Sequence, residues 1–160
     1  RAQGLPEPLA LSVVFPHPDC NEELAQKAVA RGLGLSQVML RLDDAVAPPA
    51  VPGMTLQAQV SGTLVSWPAL PSATGYDVVR GSLSVLAASG GSFTLATGAC
   101  LADDTAATSL SDGALPATGN GFWYLVRGSS CGGAGTYESG AASQSGLRDA
   151  EIQSSASACP

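Results

Sequence analysis

The sequence predicts a mainly β chain: an antiparallel β-sandwich with a small strand–helix–strand extension in front of it. Three observations predict it. Seven of the eight aromatic residues lie between Trp67 and Tyr137, and only Phe15 falls outside. A sandwich core needs such side chains, each able to bury roughly 150–250 Å². Beyond about residue 48, helical periodicity disappears, and short apolar or alternating runs are separated by Gly, Pro and Ser turns. Charged residues make up only 12% of the chain, against a typical share of about 25%, whereas Gly (19) and Ser are abundant and Lys+Arg total 7. Such a balance is expected of an extracellular β-protein with long loops.

Taken in order, the chain opens with the apolar run Leu9-Ala10-Leu11-Ser12-Val13-Val14-Phe15, bounded by Pro6, Pro8, Pro16 and Pro18. Its length and β-branching predict a strand, and the prolines stop it at both ends. A helix follows: Asn21 can cap it, Glu22 and Glu23 suit its positive end, and Arg31-Gly32 suits the other. Leu24, Ala25, Ala28 and Val29 form its apolar stripe, short enough that the helix must lean on something larger. A second strand is expected over 36–42. The prolines at 48, 49 and 52 then make a stiff connector.

Strands are expected over 54–60 and 62–67, joined around Ser61-Gly62, and over 76–80 after the turn Ser72-Ala73-Thr74-Gly75. Residues 81–104 read as loose. A short strand around 108–110 precedes the strongest one, 122–127, and the last twenty residues read as a polar tail. The expected organisation is an α+β extension over 1–47, the sandwich over 48–143 and a cysteine-anchored tail over 144–160.

Charge excludes some partners. A net charge of −6 and a pI near 4.4 argue against nucleic acid, which needs a basic face, and against electrostatic attachment to anionic lipid. No run approaches the ~20 apolar residues needed to span a bilayer. With Arg1 where an initiating Met would stand and no basic-then-apolar signal, the chain is expected to be part of something longer.

The four cysteines, Cys20, Cys100, Cys131 and Cys159, contain no C-x-x-C spacing. Two disulfides in an exported chain are therefore expected. Cys131–Cys159 would pin the last strand, and Cys20–Cys100 would then clamp the amino-terminal unit to the sandwich. A Cys100–Cys131 bond, leaving Cys20 free or bonded to another chain, is the alternative.

The pattern resembles a fibronectin type III domain over about residues 48–143. The residues that carry it are Trp67, then Pro71-x-Ala73-Thr74-Gly75-Tyr76-x-Val78-x-Arg80, then Thr108-Ser109-Leu110-Ser111-Asp112, Leu115-Pro116 and Tyr124-x-Val126-x-Gly128. The resemblance implies an immunoglobulin-like sandwich. In it Trp67 anchors the core, and Tyr124 makes a corner tying its strand to the preceding loop. More narrowly, Tyr76–Gly81, Ala99–Asp104, Gly121–Arg127 and Cys131-Gly132-Gly133-x-Gly135-Thr136-Tyr137 look like a bacterial subset. In that subset the module closes large secreted or surface proteins and ends, as here, in Ala158-Cys159-Pro160. Residues 1–47 match nothing in the family, and the long 81–104 segment departs from its pattern.

Strand alternation gives the sharpest expectation about sites. Trp67, Tyr76, Val78, Tyr124 and Val126 point into the core, so Val79, Trp123 and Leu125 point outward. Three large apolar groups on one outer face form a patch that a soluble monomer rarely leaves bare. They are therefore the candidate interface. The amino-terminal unit is the expected cover, and a partner subunit the alternative.

No metal site is expected. His17, Asp19, Cys20, Glu22 and Glu23 crowd together, but a single histidine makes a poor zinc or copper site. Asp103-Asp104 and Asp112 lack the calcium-loop pattern. No catalytic residue and no cofactor is expected either, because His17 alone would have to serve any nucleophile scheme and the Gly-rich loops lack a phosphate-cradling Lys. The chain therefore reads as non-enzymatic: a structural or adhesive module, secreted or on the surface of a bacterium, whose partners are like subunits of a filament or assembly. The alternative is a monomeric binding module with a glycan ligand, for which Tyr137 is the one aromatic platform in view.

Overall fold

The computed structural model describes residues 9–14, 22–41, 48–142, 144 and 146–160. They fall into two compact units, one containing residues up to 46 with Cys131–Gly133, the other residues 47–130 and 134–160.

In the first unit, β1 (Leu9–Val14) and β2 (Ser36–Arg41) run parallel in register Leu9↔Ser36 to Val14↔Arg41, linked by α1 (Glu23–Gly32). A parallel pair needs such a crossover. Gln37 Nε2 donates to Ser12 Oγ at 2.7 Å on the face that also carries Ala10. The helix does not present its expected stripe: Leu24 is 84% exposed and Val29 62%, while Ala30 is the residue it buries. Its N-cap is Glu22, with no side-chain cap bond; Asn21 lies outside the described residues. The physical reason lies in the sheet. Its small residues Ala10 and Ser12 admit a small side chain such as Ala30, with Gln26 and Glu23 half-buried one turn and two turns before it.

The second unit is an antiparallel sandwich of the fibronectin type III-like kind, three strands against four. One sheet has the order β3-β4-β7, from β3 (Thr55–Gln59), β4 (Gly62–Ser66) and β7 (Ser109–Asp112). The other has the order β6-β5-β8-β9, from β5 (Gly75–Ser82), β6 (Thr97–Thr105), β8 (Phe122–Ser130) and β9 (Gly133–Ala134). Val65, Trp67, Leu70, Tyr76, Val78, Tyr124 and Val126 fill the space between the sheets. Trp67 meets Tyr76 edge to face, with centroids 5.7 Å apart. The Leu70 amide donates to Tyr76 Oη at 2.7 Å, which ties down the turn between β4 and β5.

Two stretches differ from expectation. Residues 81–104 are ordered: α2 (Leu83–Ala88), α3 (Phe93–Ala96) and then β6. Ser82 caps α2, its hydroxyl accepting the Val85 amide at 3.3 Å. The β6 strand is hard to see in sequence because its pairing with β5 shifts register three times, and Asp104 sits at φ 50. Such shifts break the period-2 pattern that announces a strand. The polar tail, in turn, contains α4 (Arg148–Gln153), whose single large apolar residue, Ile152, is 1% exposed.

Candidate functional site

The four-stranded sheet organises the surroundings of every residue singled out in the sandwich. On its inner face lie Tyr76, Val78, Tyr124 and Val126, opposite Trp67. At one end of that face Tyr124 Oη donates to Asp112 Oδ2 at 2.9 Å. The corner is therefore closed on a side-chain carboxylate. Arg80 Nη1 donates to both Asp112 oxygens, at 2.8 and 2.7 Å, and the Ala114 amide donates to Oδ1 at 3.0 Å. Burial acts to raise the Asp112 pKa, but Arg80, the amide and the phenol together outweigh it and hold the carboxyl below its ordinary value of 3.8. Asp112 thus locks β7 of one sheet to β5 and β8 of the other.

The outer face carries Val79, Trp123 and Leu125, and the chain's own carboxy-terminal segment seals it. Val79 is fully buried together with Tyr137, Ile152 and Cys159, with Phe93, Trp123 and Leu125 packed against them. This corrects the expectation of an amino-terminal or partner cover. Phe93 meets Trp123 edge to face at 5.1 Å. Trp123 can lie flat on β5 because Gly81 is beneath it; a Cβ there would come within 2.1 Å of Trp123 Cζ2.

Polar bonds fix the tail. Glu151 accepts the Phe93 amide at 2.5 Å and, through its carbonyl, the Thr94 hydroxyl at 2.9 Å. Asp149 accepts the Tyr137 amide at 2.7 Å and the Thr136 hydroxyl. Beneath Tyr137, Arg127 Nε donates to Asp77 Oδ2 at 2.7 Å, with its guanidinium 4.9 Å from the ring centroid. Burial pushes the Tyr137 phenol far above its usual pKa.

A disulfide closes the cover. Cys100 on β6 is bonded to Cys159, with Cα atoms 5.0 Å apart. Both expected pairings are thereby corrected, since Cys131–Cys159 and Cys20–Cys100 each need one of these two sulfurs. Cys131 is itself disulfide-bonded, and Cys20 lies outside the described residues. The tail reaches Cys100 because α4 carries it back over β5 and β6, a path the spacing of the cysteines does not reveal.

Among the described residues, the candidates for chemistry are engaged in structural contacts. Cys100, Asp103 and Cys159 cluster within 4.8 Å, but the two sulfurs are bonded to each other and offer no thiolate. Asp104 accepts the Ser129 hydroxyl and donates its amide to Asp77 at 3.0 Å. Glu23 pairs with Lys27; His17 and Asp19 lie outside the described residues. The expectation of no catalytic residue overlooks one match: Gly128-Ser129-Ser130-Cys131-Gly132 has the Gly-x-Ser-x-Gly spacing of a nucleophile elbow. An elbow requires a strand-to-helix turn, and here Ser130 leads from β8 into the hairpin to β9.

One cleft of about 90 Å³ lies in the sandwich beside β8, lined by Val51, Met54, Leu125, Tyr137, Glu138 and Arg148. Glu138 Oε2 and Arg148 Nε are buried without a hydrogen-bond partner.

The remaining feature is an edge. All five residues of β3 are exposed, and Leu56 is 47% so. Among the described residues no strand pairs with its outer side. Beside it an open groove of about 280 Å³ is lined by Leu56, Ala58, Thr63, Pro116, Phe122 and Tyr124. The signal for this edge was present in the sequence: residues 45–76 contain no Asp, Glu, Lys or Arg.

No family model matches the sequence, and no curated protein matches it. Among solved structures, the chain is similar to a Fn3-like protein from Clostridium thermocellum, with 26% identity over 56% of this chain and 84% of that one, at a TM-score of 0.40.

Proposed function

We propose that this chain is a non-catalytic structural module of an exported bacterial protein, and that it serves as a subunit of a cell-surface or extracellular assembly of like subunits. The observation that carries this reading is the uncharged β3 edge, unpaired among the described residues, with its apolar groove. Four charged side chains of the sandwich are engaged within it. Asp77, Arg80, Asp112 and Arg127 tie strands to one another. No aromatic side chain among the described residues is exposed. The Cys100–Cys159 bond and the bonded Cys131 favour an oxidising compartment. Among the described residues no helix is long and apolar enough to cross a membrane.

The same facts weigh against a glycan-binding module. Tyr137, its one aromatic platform in view, is 4% exposed beneath the tail. Light scattering of the purified chain over a concentration series tests the proposal. Native mass is expected to rise with concentration; a monomer at every concentration would overturn it.

A further inference from the structure

The sheet geometry also specifies which backbone groups β3 offers and what fits them. The β3–β4 hairpin turns through Val60-Ser61, with Gln59 opposite Gly62. In a two-residue hairpin that closing pair is hydrogen-bonded, and bonded and non-bonded pairs alternate from it. Gln59, Gln57 and Thr55 therefore spend their amide and carbonyl groups on β4. Leu56 and Ala58 aim theirs outward, along the free edge. Both residues are opposite core-side positions, Leu56 facing Val65 and Ala58 facing Thr63, so their side chains lie on the inner face of the sheet and border the groove.

Natural sheets guard such edges with Lys, Pro, inward-pointing charge or a bulge. Here β3 reads Thr-Leu-Gln-Ala-Gln, with none of these and no register shift against β4. The surrounding charge points the same way. The chain carries −6 overall, so two copies repel each other over most of their surface, whereas residues 45–76 are free of charge. A like chain is repelled least when it approaches at β3.

We infer that β3 is the contact with a second copy of this chain, pairing antiparallel with its counterpart about a two-fold axis. This rests on the assembly reading above and names its contact. Strand overlap selects the register. Of the two-fold pairings that join outward groups, the one that overlaps all five β3 residues brings those of Leu56 to those of the partner copy's Ala58, and the reverse, which places Gln57 opposite Gln57 on the axis. Four backbone hydrogen bonds form, two in each Leu56–Ala58 pair. The two three-stranded sheets become one sheet of six, and each copy's Leu56 moves over the other's groove. The contact is isologous and closes at two copies, so a longer filament would need a further surface.

The test compares the full chain with Gln57→Lys and Gln57→Glu, each side chain lying on the solvent face of an exposed strand. Light scattering and sedimentation are read at concentrations where the natural chain is associated. Each variant alone is expected to dissociate about fivefold or more readily, because like charges then stand opposite across the strands. An equimolar mixture of the two is expected to recover the natural mass. Ala58→Pro, which removes two of the four bonds, should weaken association about thirtyfold while far-ultraviolet circular dichroism stays unchanged.

If the natural chain is monomeric throughout, both this inference and the assembly reading fail. If it associates and all three variants associate equally well, the β3 contact alone is overturned. If each charged variant dissociates but the mixture does not recover, the two-fold register is wrong.

Discussion

Removing the Cys100–Cys159 bond is the perturbation whose cost the structure sets most directly. The two residues are 59 apart in sequence. A cross-link of that span removes loop-closure entropy from the unfolded chain worth about 4 kcal/mol at 25 °C. A domain of this size is stable by only about 5–15 kcal/mol, so Cys100→Ala with Cys159→Ala should leave a folded but markedly weaker sandwich. Alanine leaves no polar group in the nearly closed Cys159 site. Urea unfolding, followed by tryptophan fluorescence, is the assay. Trp67 reports the inner core and Trp123 the face beneath the tail. The expected result is a loss of about 4 kcal/mol, with the Trp123 environment changing at lower urea than the Trp67 environment. A loss below about 1 kcal/mol would mean the tail is held without the bond, and would refute the reasoning.

Two further outcomes follow from the sandwich. Gly81→Ala places a methyl 2.1 Å from the Trp123 ring and 2.3 Å from the Ala96 carbonyl. Neither can move without disturbing the covered face, so thermal unfolding should show a loss of about 1–3 kcal/mol or more. Asp112 has a folded pKa depressed below 3.8, so its contribution is fully present above that value and is lost as pH falls through the folded pKa. The stability gap between the natural chain and Asp112→Asn, measured by urea unfolding, should therefore be constant near neutrality and shrink below pH 3.8. A gap that widens in acid would contradict the Arg80–Asp112 lock.

Much of the sandwich was legible because its strongest strands alternate cleanly. Along 76–80 and 122–127 the period of two separates one set, Tyr76, Val78, Tyr124 and Val126, from another, Val79, Trp123 and Leu125. The structure puts these sets on opposite faces. What covers the second face was not legible. The cover hangs on Ile152, a single apolar residue in a polar six-residue helix, and no periodicity can be read from one position. The cysteine pairing failed for the same reason, since it depends on where that helix takes the chain.

The β6 strand was hidden by its register shifts. In α1, the residues with the highest hydropathy, Leu24 and Val29, lie exposed, because a two-stranded sheet offers only a narrow surface and a small residue fits it better. The β3 edge was visible as missing charge, a signal that a search for motifs does not weigh.

Amide hydrogen exchange of the full chain, measured at low and at high concentration, tests the central claim of a self-sealed module that associates through one strand. At low concentration the Leu56 and Ala58 amides should exchange rapidly, while those of β5 and β8 are protected. At high concentration the amides of Leu56 and Ala58 should become protected, and those beneath the tail should not change. Rapid exchange at Leu56 and Ala58 at every concentration, with new protection arising around Trp123, would contradict the account.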